Sequence, residues 1–367
     1  MSRLSIFIPV HWLTDFGGLH ENVFDTVRAF REAAWRVVVM APRAKFNARF
    51  AELGADLIEN DMTDVPGAVR LGLGAGPYDL VHAHPFAGRL IGATVASECR
   101  ARLALTIHGQ YLDDLVEDHG KYDAVIAVCE QVASYIRHGS AVDASRLHVI
   151  PNAVDADTFK PSVHAALKRM VRRSKVITVA SRLDPDKVTL FRCVSDLVEH
   201  LAHPSRSHRY EIRFHGQNFY GDTSPILQPL LERARGAGLR MLMAGWLSDR
   251  ESLAGAFRDS DIVIASGRAA MEALACGRPT IAVASRGYVG PLLPEMIDVA
   301  IRTNFGGFET EQTTYRSGDI VSGLEKVETL SRSDLRGARK RMLSTHSAPK
   351  ISQLHRDLAE QLARGLP

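Results

Sequence analysis

Short apolar, β-branched runs, each closed by turn residues, recur along this chain and then begin again near its middle. The first series is Leu4 to Pro9, Arg36 to Met40, Tyr78 to His82, Ala104 to His108, Asp123 to Val128 and Leu147 to Ile150. The second is KVITVAS from Lys175, EIRFHG from Glu211, RMLMAG from Arg240, DIVIAS from Asp261 and PTIAVAS from Pro279. Runs that are apolar throughout, instead of at alternate positions, suit parallel strands covered by helices on both faces. Leu19, Val23, Val27 and Phe30 recur at helical spacing after Gly17-Gly18, so the opening unit reads strand, glycine loop, helix, strand. Two doubly wound α/β sheets follow, and 367 residues are enough for two cores.

The segment IPNAVDADTFKPSVHAALKRMVRRSK separates the two series, and its prolines, Pro151 and Pro161, with its basic run, mark a boundary. The expected domains are residues 1–165, residues 166–345 and a terminal segment, 346–367. In that last segment Ile351, Leu354, Leu358 and Leu362 form an apolar helical stripe that needs a partner surface. It is expected to cross back toward the first domain. At the other end, MSRLSIFIPV is too short to span a membrane and lacks a small-residue cleavage site, so it reads as the first core strand.

Composition narrows the class. Hydrophobic residues at 46% and charged residues at 24% exclude a disordered or fibrous chain. Cys99, Cys129, Cys193 and Cys276 stand far apart with no C-x-x-C, which suggests neither a disulfide framework nor a zinc ribbon and fits a reducing cytoplasm. A formal charge of +3 is too small for a surface devoted to nucleic acid. Two basic runs stand out: Lys168, Arg169, Arg172, Arg173 and Lys175, then Arg332, Arg336, Arg339, Lys340 and Arg341. They read as solvated helix faces or, alternatively, as patches for an anionic acceptor or for peripheral contact with the inner face of a membrane.

Three segments carry chemistry. Asp15-Phe16-Gly17-Gly18 lies at the first strand-to-helix junction, where backbone amides and the helix dipole favour an anion. A ligand-free tight turn is equally consistent with two glycines, and the departure from G-x-G-x-x-G argues against a nicotinamide cofactor. Ser181 to Lys187, SRLDPDK, follows a strand directly; Arg182 offers a forked donor and Lys187 a compact cation, a pair suited to a diphosphate. The third segment is SGRAAMEALACGRP, from Ser266, in which Glu272 sits early in a helix among alanines and leucine. By itself that carboxylate reads as an ordinary exposed charge ahead of the alternative, a placed acceptor for sugar hydroxyls.

Taken in order, FGGLHENVFDTVRAF, YDLVHAHPF, LTIHGQ, YDAVIAVCEQV, HVIPNAVDADTFKP, VASRLDPDK, MAGWLSD and MEALACGRPTIA resemble glycosyltransferase family 4 along most of the chain. The resemblance implies a GT-B fold, two Rossmann-like domains facing each other across a cleft, with a nucleotide-sugar donor held mainly by the second. It implies that Arg182 and Lys187 meet the donor diphosphate and that Glu272 meets the nucleotide ribose. Gly17 and Gly18 would face the phosphate and the transferred sugar, and His108 would lie near the reacting carbon. The donor side is expected to include Gly216, Leu247, Ser266, Gly267 and Arg268 as well, and the acceptor side His82 and His84.

One departure stands out. Family members carry a second glutamate eight positions before the one matched by Glu272, and Ile264 is there instead. Ser266, Gly267 and Arg268, in the loop leading to Glu272, are expected to hold the sugar in its place. The expected activity is transfer of a sugar from a UDP- or GDP-sugar to an acceptor, with retention of configuration and without a cofactor or required metal. Two cations at the diphosphate can do the work of a divalent ion. The alternatives are a nucleotide-sugar 2-epimerase and a GT-B protein that binds a nucleotide sugar without catalysis.

Overall fold

The computed structural model describes residues 3–285, 287–306 and 313–365. They form two compact units, Met1–Ala153 with Ala348–Pro367, and Val154–Ser347. In the first unit the strands are β1 (Ser5–Pro9), β2 (Arg36–Ala41), β3 (Asp56–Glu59), β4 (Leu80–Ala83), β5 (Arg102–Ile107), β6 (Ala124–Ala127) and β7 (Leu147–Val149). They make one parallel sheet in the order β3-β2-β1-β4-β5-β6-β7. In the second unit β8 (Lys175–Ala180), β9 (Tyr210–His215), β10 (Arg240–Met243), β11 (Ile262–Ala265), β12 (Thr280–Val283) and β13 (Tyr288–Pro291) are ordered β10-β9-β8-β11-β12-β13. Only the pairing of β12 with β13 is antiparallel among these.

Both orders reverse direction once, between β1 and β4 and between β8 and β11. At such a switch point the chain leaves neighbouring strands in opposite directions and opens a crevice at their carboxyl ends, where α/β sheets bind ligands. The apolar runs explain why the strands lie centrally. Ile6, Ile8, Val37 and Val39 are buried with Val23, Val27 and Phe30 of the helix Gly18–Glu32, whose apolar stripe faces the sheet. The helix Ala348–Ala363 places Ile351, Leu358 and Leu362 in that same core, so the last helix belongs physically to the first unit.

The break between units falls after Ala153, ahead of the expected break after residue 165. The reason lies in the basic run. The helix Val163–Met170 and the turn after it are tied to the helix Arg250–Asp259 by arginines: Arg169 donates to the Arg258 carbonyl, and Arg172 donates to the Asp259 carbonyl at 2.8 Å and pairs with Asp261. These side chains are therefore structural ties and not a solvated face. The apolar side of that helix points the other way, with Val163 79% and Met170 73% exposed. In the second basic run Arg339 donates to the Ala275 carbonyl at 2.7 Å and Arg341 pairs with Asp298 at 2.7 Å.

Candidate active site

At the carboxyl edge of the first sheet, β1 leads into the glycine loop. Gly17 precedes the helix Gly18–Glu32 in an extended conformation, no side chain caps that helix, and a Cβ built on Gly18 would meet nothing within 4 Å. The approach to those first amides is thus open. His20 braces the loop from beneath: its Nε2–H donates to the Thr14 carbonyl at 2.9 Å, and its ring stacks on Trp12 at 4.2 Å. Burial pushes its pKa down to about 4, against a smaller upward pull from the Thr14 carbonyl, so the ring is neutral at neutral pH.

His82 and His84, expected on the acceptor side, are both buried. His82, in β4, and His84, one residue beyond its end, stack at 5.3 Å. His82 Nε2 lies 2.7 Å from Thr106 Oγ1 and its ring 5.9 Å from His355 on the last helix. His84 Nδ1 lies 2.9 Å from Nε2 of the half-buried His108, just beyond β5. Burial is the first cause of depressed basicity throughout: His82 and His108 fall to about 3, His355 to about 4, and His84 well below its usual value. What this edge presents to solvent is an aromatic pair, Phe86 stacked on Tyr111 at 5.6 Å, with Phe86 58% exposed. Phe86 has φ +63°, unusual for a bulky residue, and its amide is held by Asp113 at 3.0 Å, which in turn pairs with the buried Arg89 at 2.8 Å.

In the second unit the loop after β8 and the helix after β11 share the switch point. Asp184, completely buried, organises the loop: one carboxylate oxygen accepts the amides of Phe219 and Tyr220 at 2.6 and 3.2 Å, and the other accepts Arg182 at 2.6 Å. The 216–220 segment is tied in further by the Leu183 amide donating to the Gln217 carbonyl at 2.9 Å. Gly216 is obligatory here, because a Cβ would overlap the Ser181 carbonyl oxygen. Lys187 donates to Ser285 Oγ at 2.5 Å and lies 3.1 Å from Asp186 Oδ2; Arg182 Nη2 is 3.9 Å from that same oxygen. Burial first, and then neighbouring Arg182, lowers the Lys187 pKa, while Asp186 is held below the usual carboxylate range by Tyr220, Lys187 and Arg182 against its own burial.

β11 ends at Ala265 and the helix Gly267–Ala275 begins two residues later, so Ser266 alone is the connection. The expected sugar-holding loop is therefore absent: Gly267, with φ +52° and its amide on the Phe305 carbonyl at 3.0 Å, and Arg268 already belong to the helix. Ile264, in β11, is part of the apolar core. Glu272 is buried, contrary to the exposed reading, and pairs with Arg268 at 2.9 Å and Arg250 at 3.6 Å. Arg268 is occupied one helical turn before Glu272, which places it beside the carboxylate as a partner. Leu247 is half-buried in the connection after β10, beside Trp246, whose ring meets Phe219 edge-on at 5.3 Å.

Sequence reasoning missed Asp186, Ser285, Tyr220 and Arg250. The first was visible as the carboxylate of Asp-Pro-Asp beside the cations; the others come from distant segments and carry no local signal. The arrangement gathers two cations around one carboxylate oxygen at the carboxyl edge of the sheet, a geometry an incoming phosphate oxygen can take over.

Residues 16–158 match the family described as Glycosyltransferase Family 4. A D-inositol 3-phosphate glycosyltransferase of Xylanimonas cellulosilytica is 26% identical over 255 residues, which span 62% of this chain and 60% of that relative's length. A glycosyltransferase of Rickettsia africae has a similar structure, with TM-score 0.75, 16% identity and coverage of 99% of both chains. So has Anabaena HepE, solved with UDP and glucose, with TM-score 0.71, 16% identity and coverage of 98% of this chain and 100% of that one. Residues 16–158 are thus similar to family 4 glycosyltransferases, and the fold of the whole chain is that of GT-B glycosyltransferases. The match lies largely in the first unit, and the fold likeness extends over both.

Proposed function

We propose that the protein transfers a sugar from a nucleoside diphosphate sugar to an acceptor. The observation that carries this is the convergence of Arg182 and Lys187 on Asp186 Oδ2 at the second sheet's switch point. As the bond between the anomeric carbon and the phosphate oxygen breaks, its electron pair stays on the diphosphate. Arg182 and Lys187, fixed beforehand by Asp184, Asp186 and Ser285, stabilise that charge without reorganising. Two side-chain cations in this role support metal independence. Uridine is the favoured base because a structural neighbour was solved with UDP. The proposal keeps Glu272 at the ribose, and His108, Gly17 and Gly18 at the phosphate and transferred sugar. Phe86 and Tyr111 take over the acceptor side from the buried His82 and His84.

The proposed outcome is retention, with sugar and acceptor unspecified beyond the donor class. A non-catalytic nucleotide-sugar binder or an epimerase remains the competing reading, favoured by one observation: no carboxylate stands at the β11 junction, where Ile264 is core. A thermal-shift screen of UDP- and GDP-sugars in chelator, followed by product analysis with donor alone and with saccharide acceptors, separates these. Stabilisation by UDP-sugars with transfer or slow hydrolysis supports the proposal; an epimerised donor or binding without turnover overturns it.

Among the described residues no helix is long and apolar enough to cross a membrane. Peripheral contact with an anionic bilayer is proposed at the helix Val163–Met170, where the outward apolar residues Val163, Leu167, Met170 and Val171 lie beside exposed Lys160 and Arg173. The inward-turned Arg169 and Arg172 take no part in it.

A further inference from the structure

We propose that His84 is a positioning residue for His108: it donates its Nδ1–H to His108 Nε2, which leaves His108 with its proton on Nδ1 and makes that second nitrogen a hydrogen-bond donor. The inference rests on the reading of His108 as a group that meets the transferred sugar. It starts from a pair of imidazoles whose facing nitrogens are 2.9 Å apart with rings stacked at 5.1 Å, so one nitrogen donates and the other accepts.

The direction of the bond follows from the far side of His84. Its Nε2 is buried and has no hydrogen-bond partner among the described residues. Were the proton there, an N–H would be buried with no acceptor, and His84 Nδ1 would need the proton of His108. With the proton on Nδ1, the buried Nε2 is a bare lone pair, and the bond to His108 is made. Orphaned N–H groups in protein interiors are rarer than under-satisfied acceptors, and the second arrangement is therefore the native one.

The neighbours hold it in place. His82 lies parallel to His84 at 5.3 Å, Thr106 engages His82 at 2.7 Å, and the His84 backbone amide donates to the Pro9 carbonyl at 3.2 Å. The ring of His84 is stacked against His82 and His108 together. His108 is fixed in turn by the backbone amide that donates to Tyr111 Oη at 3.2 Å. With Nε2 accepting and Nδ1 protonated, His108 serves an oxygen, a sugar hydroxyl or ring oxygen, and has no lone pair for an incoming proton. It binds; it is not a general base.

The test is a ¹⁵N-histidine spectrum of the full protein, with His108 assigned by its loss in His108→Gln. A protonated Nδ1 and an unprotonated Nε2 are expected in the wild type. His84→Phe should shift the His108 pair toward the other tautomer. His84→Asn, whose amide nitrogen takes about the place of imidazole Nδ1, should restore it. With UDP-glucose as probe, His84→Phe should lower kcat about tenfold with nearly unchanged affinity for UDP, and His84→Asn should recover most of it. A wild-type His108 protonated at Nε2, or His108 resonances indifferent to His84→Phe, overturns the proposal whatever the turnover. The expected tautomer in a protein that turns over no nucleotide sugar overturns the transfer reading and leaves the positioning of His108 standing.

Discussion

Acid should unfold the first unit well before it unfolds an ordinary α/β domain. His20 and His355 are 1% and 4% exposed and are held neutral, with pKa values lowered from 6.5 to about 4, in both cases first by burial. Facing His20 are the Thr14 carbonyl, Glu21 and Asp15, whose upward pull is outweighed; facing His355 are His82, neutral itself, and Thr26. A group with a depressed folded pKa binds its proton more readily when unfolded. Its contribution is complete above pH 6.5 and lost as pH falls toward 4. Between about pH 7 and about pH 5 the loss is roughly 2 kcal/mol for each of the two histidines, roughly 4 kcal/mol together, against a typical domain stability of about 5 to 15 kcal/mol. His82, His84 and His108 push in the same direction. Urea unfolding in a Trp246→Phe background leaves Trp12 and Trp35, both in the first unit, as reporters. Substituting His20 or His355 by Leu should flatten the dependence by up to about 1.4 kcal/mol per pH unit between pH 4 and 6.5. A wild type whose stability is level between pH 7 and 5, or Leu variants with undiminished slope, would refute the argument.

Further outcomes are expected. Arg182→Ala or Lys187→Ala should reduce turnover by about 10²-fold or more in a protein that still folds, and UDP affinity should survive chelator; kinetics near wild type in both would remove them from the phosphates. Asp186→Asn should tighten UDP binding several-fold by calorimetry, because the carboxylate that now holds both cations competes with phosphate; weaker binding would make Asp186 a support instead. Glu272→Ala should cost stability, up to roughly 3 to 5 kcal/mol, since it removes the buried carboxylate that pairs with the buried Arg268. Glu272→Gln should keep the fold and weaken UDP and UDP-sugar equally, and an unchanged UDP affinity would end the ribose role. Leu167→Glu should abolish co-sedimentation with phosphatidylglycerol vesicles at low salt; equal sedimentation of mutant and wild type, or none of either, counts against membrane contact.

What could be read ahead of the structure was whatever left a local pattern. The central strands are apolar at nearly every position because helices cover both faces of each sheet, and that alone separates β1, β8 and β11 from helices and loops. β3 escaped because it is an edge strand with exposed Asp56 and Glu59 at its ends, and β13 because a four-residue antiparallel strand containing Gly290 and Pro291 looks like a turn. The same limit governs the site. The cations of SRLDPDK stand within six residues of one another and were legible; that Asp184 reaches Phe219 and Tyr220, and that Lys187 reaches Ser285, depends on strand order, which no local window contains. Charge misled for a related reason. A run such as LKRMVRRSK says nothing about which carbonyls end nearby, and here the carboxyl end of a neighbouring helix turned Arg169 and Arg172 inward and left the apolar side facing out. Glu272 shows the effect in reverse: a carboxylate among alanines reads as solvated until Arg250, from the preceding helix, and Arg268, one turn earlier, are seen to flank it. Desolvating a carboxylate is tolerable only with such partners, so its burial and its two arginines are one fact. Any ligand that uses Glu272 must therefore share it with Arg268 and Arg250, which is why the stability of the Glu272→Ala variant has to be measured beside its affinity.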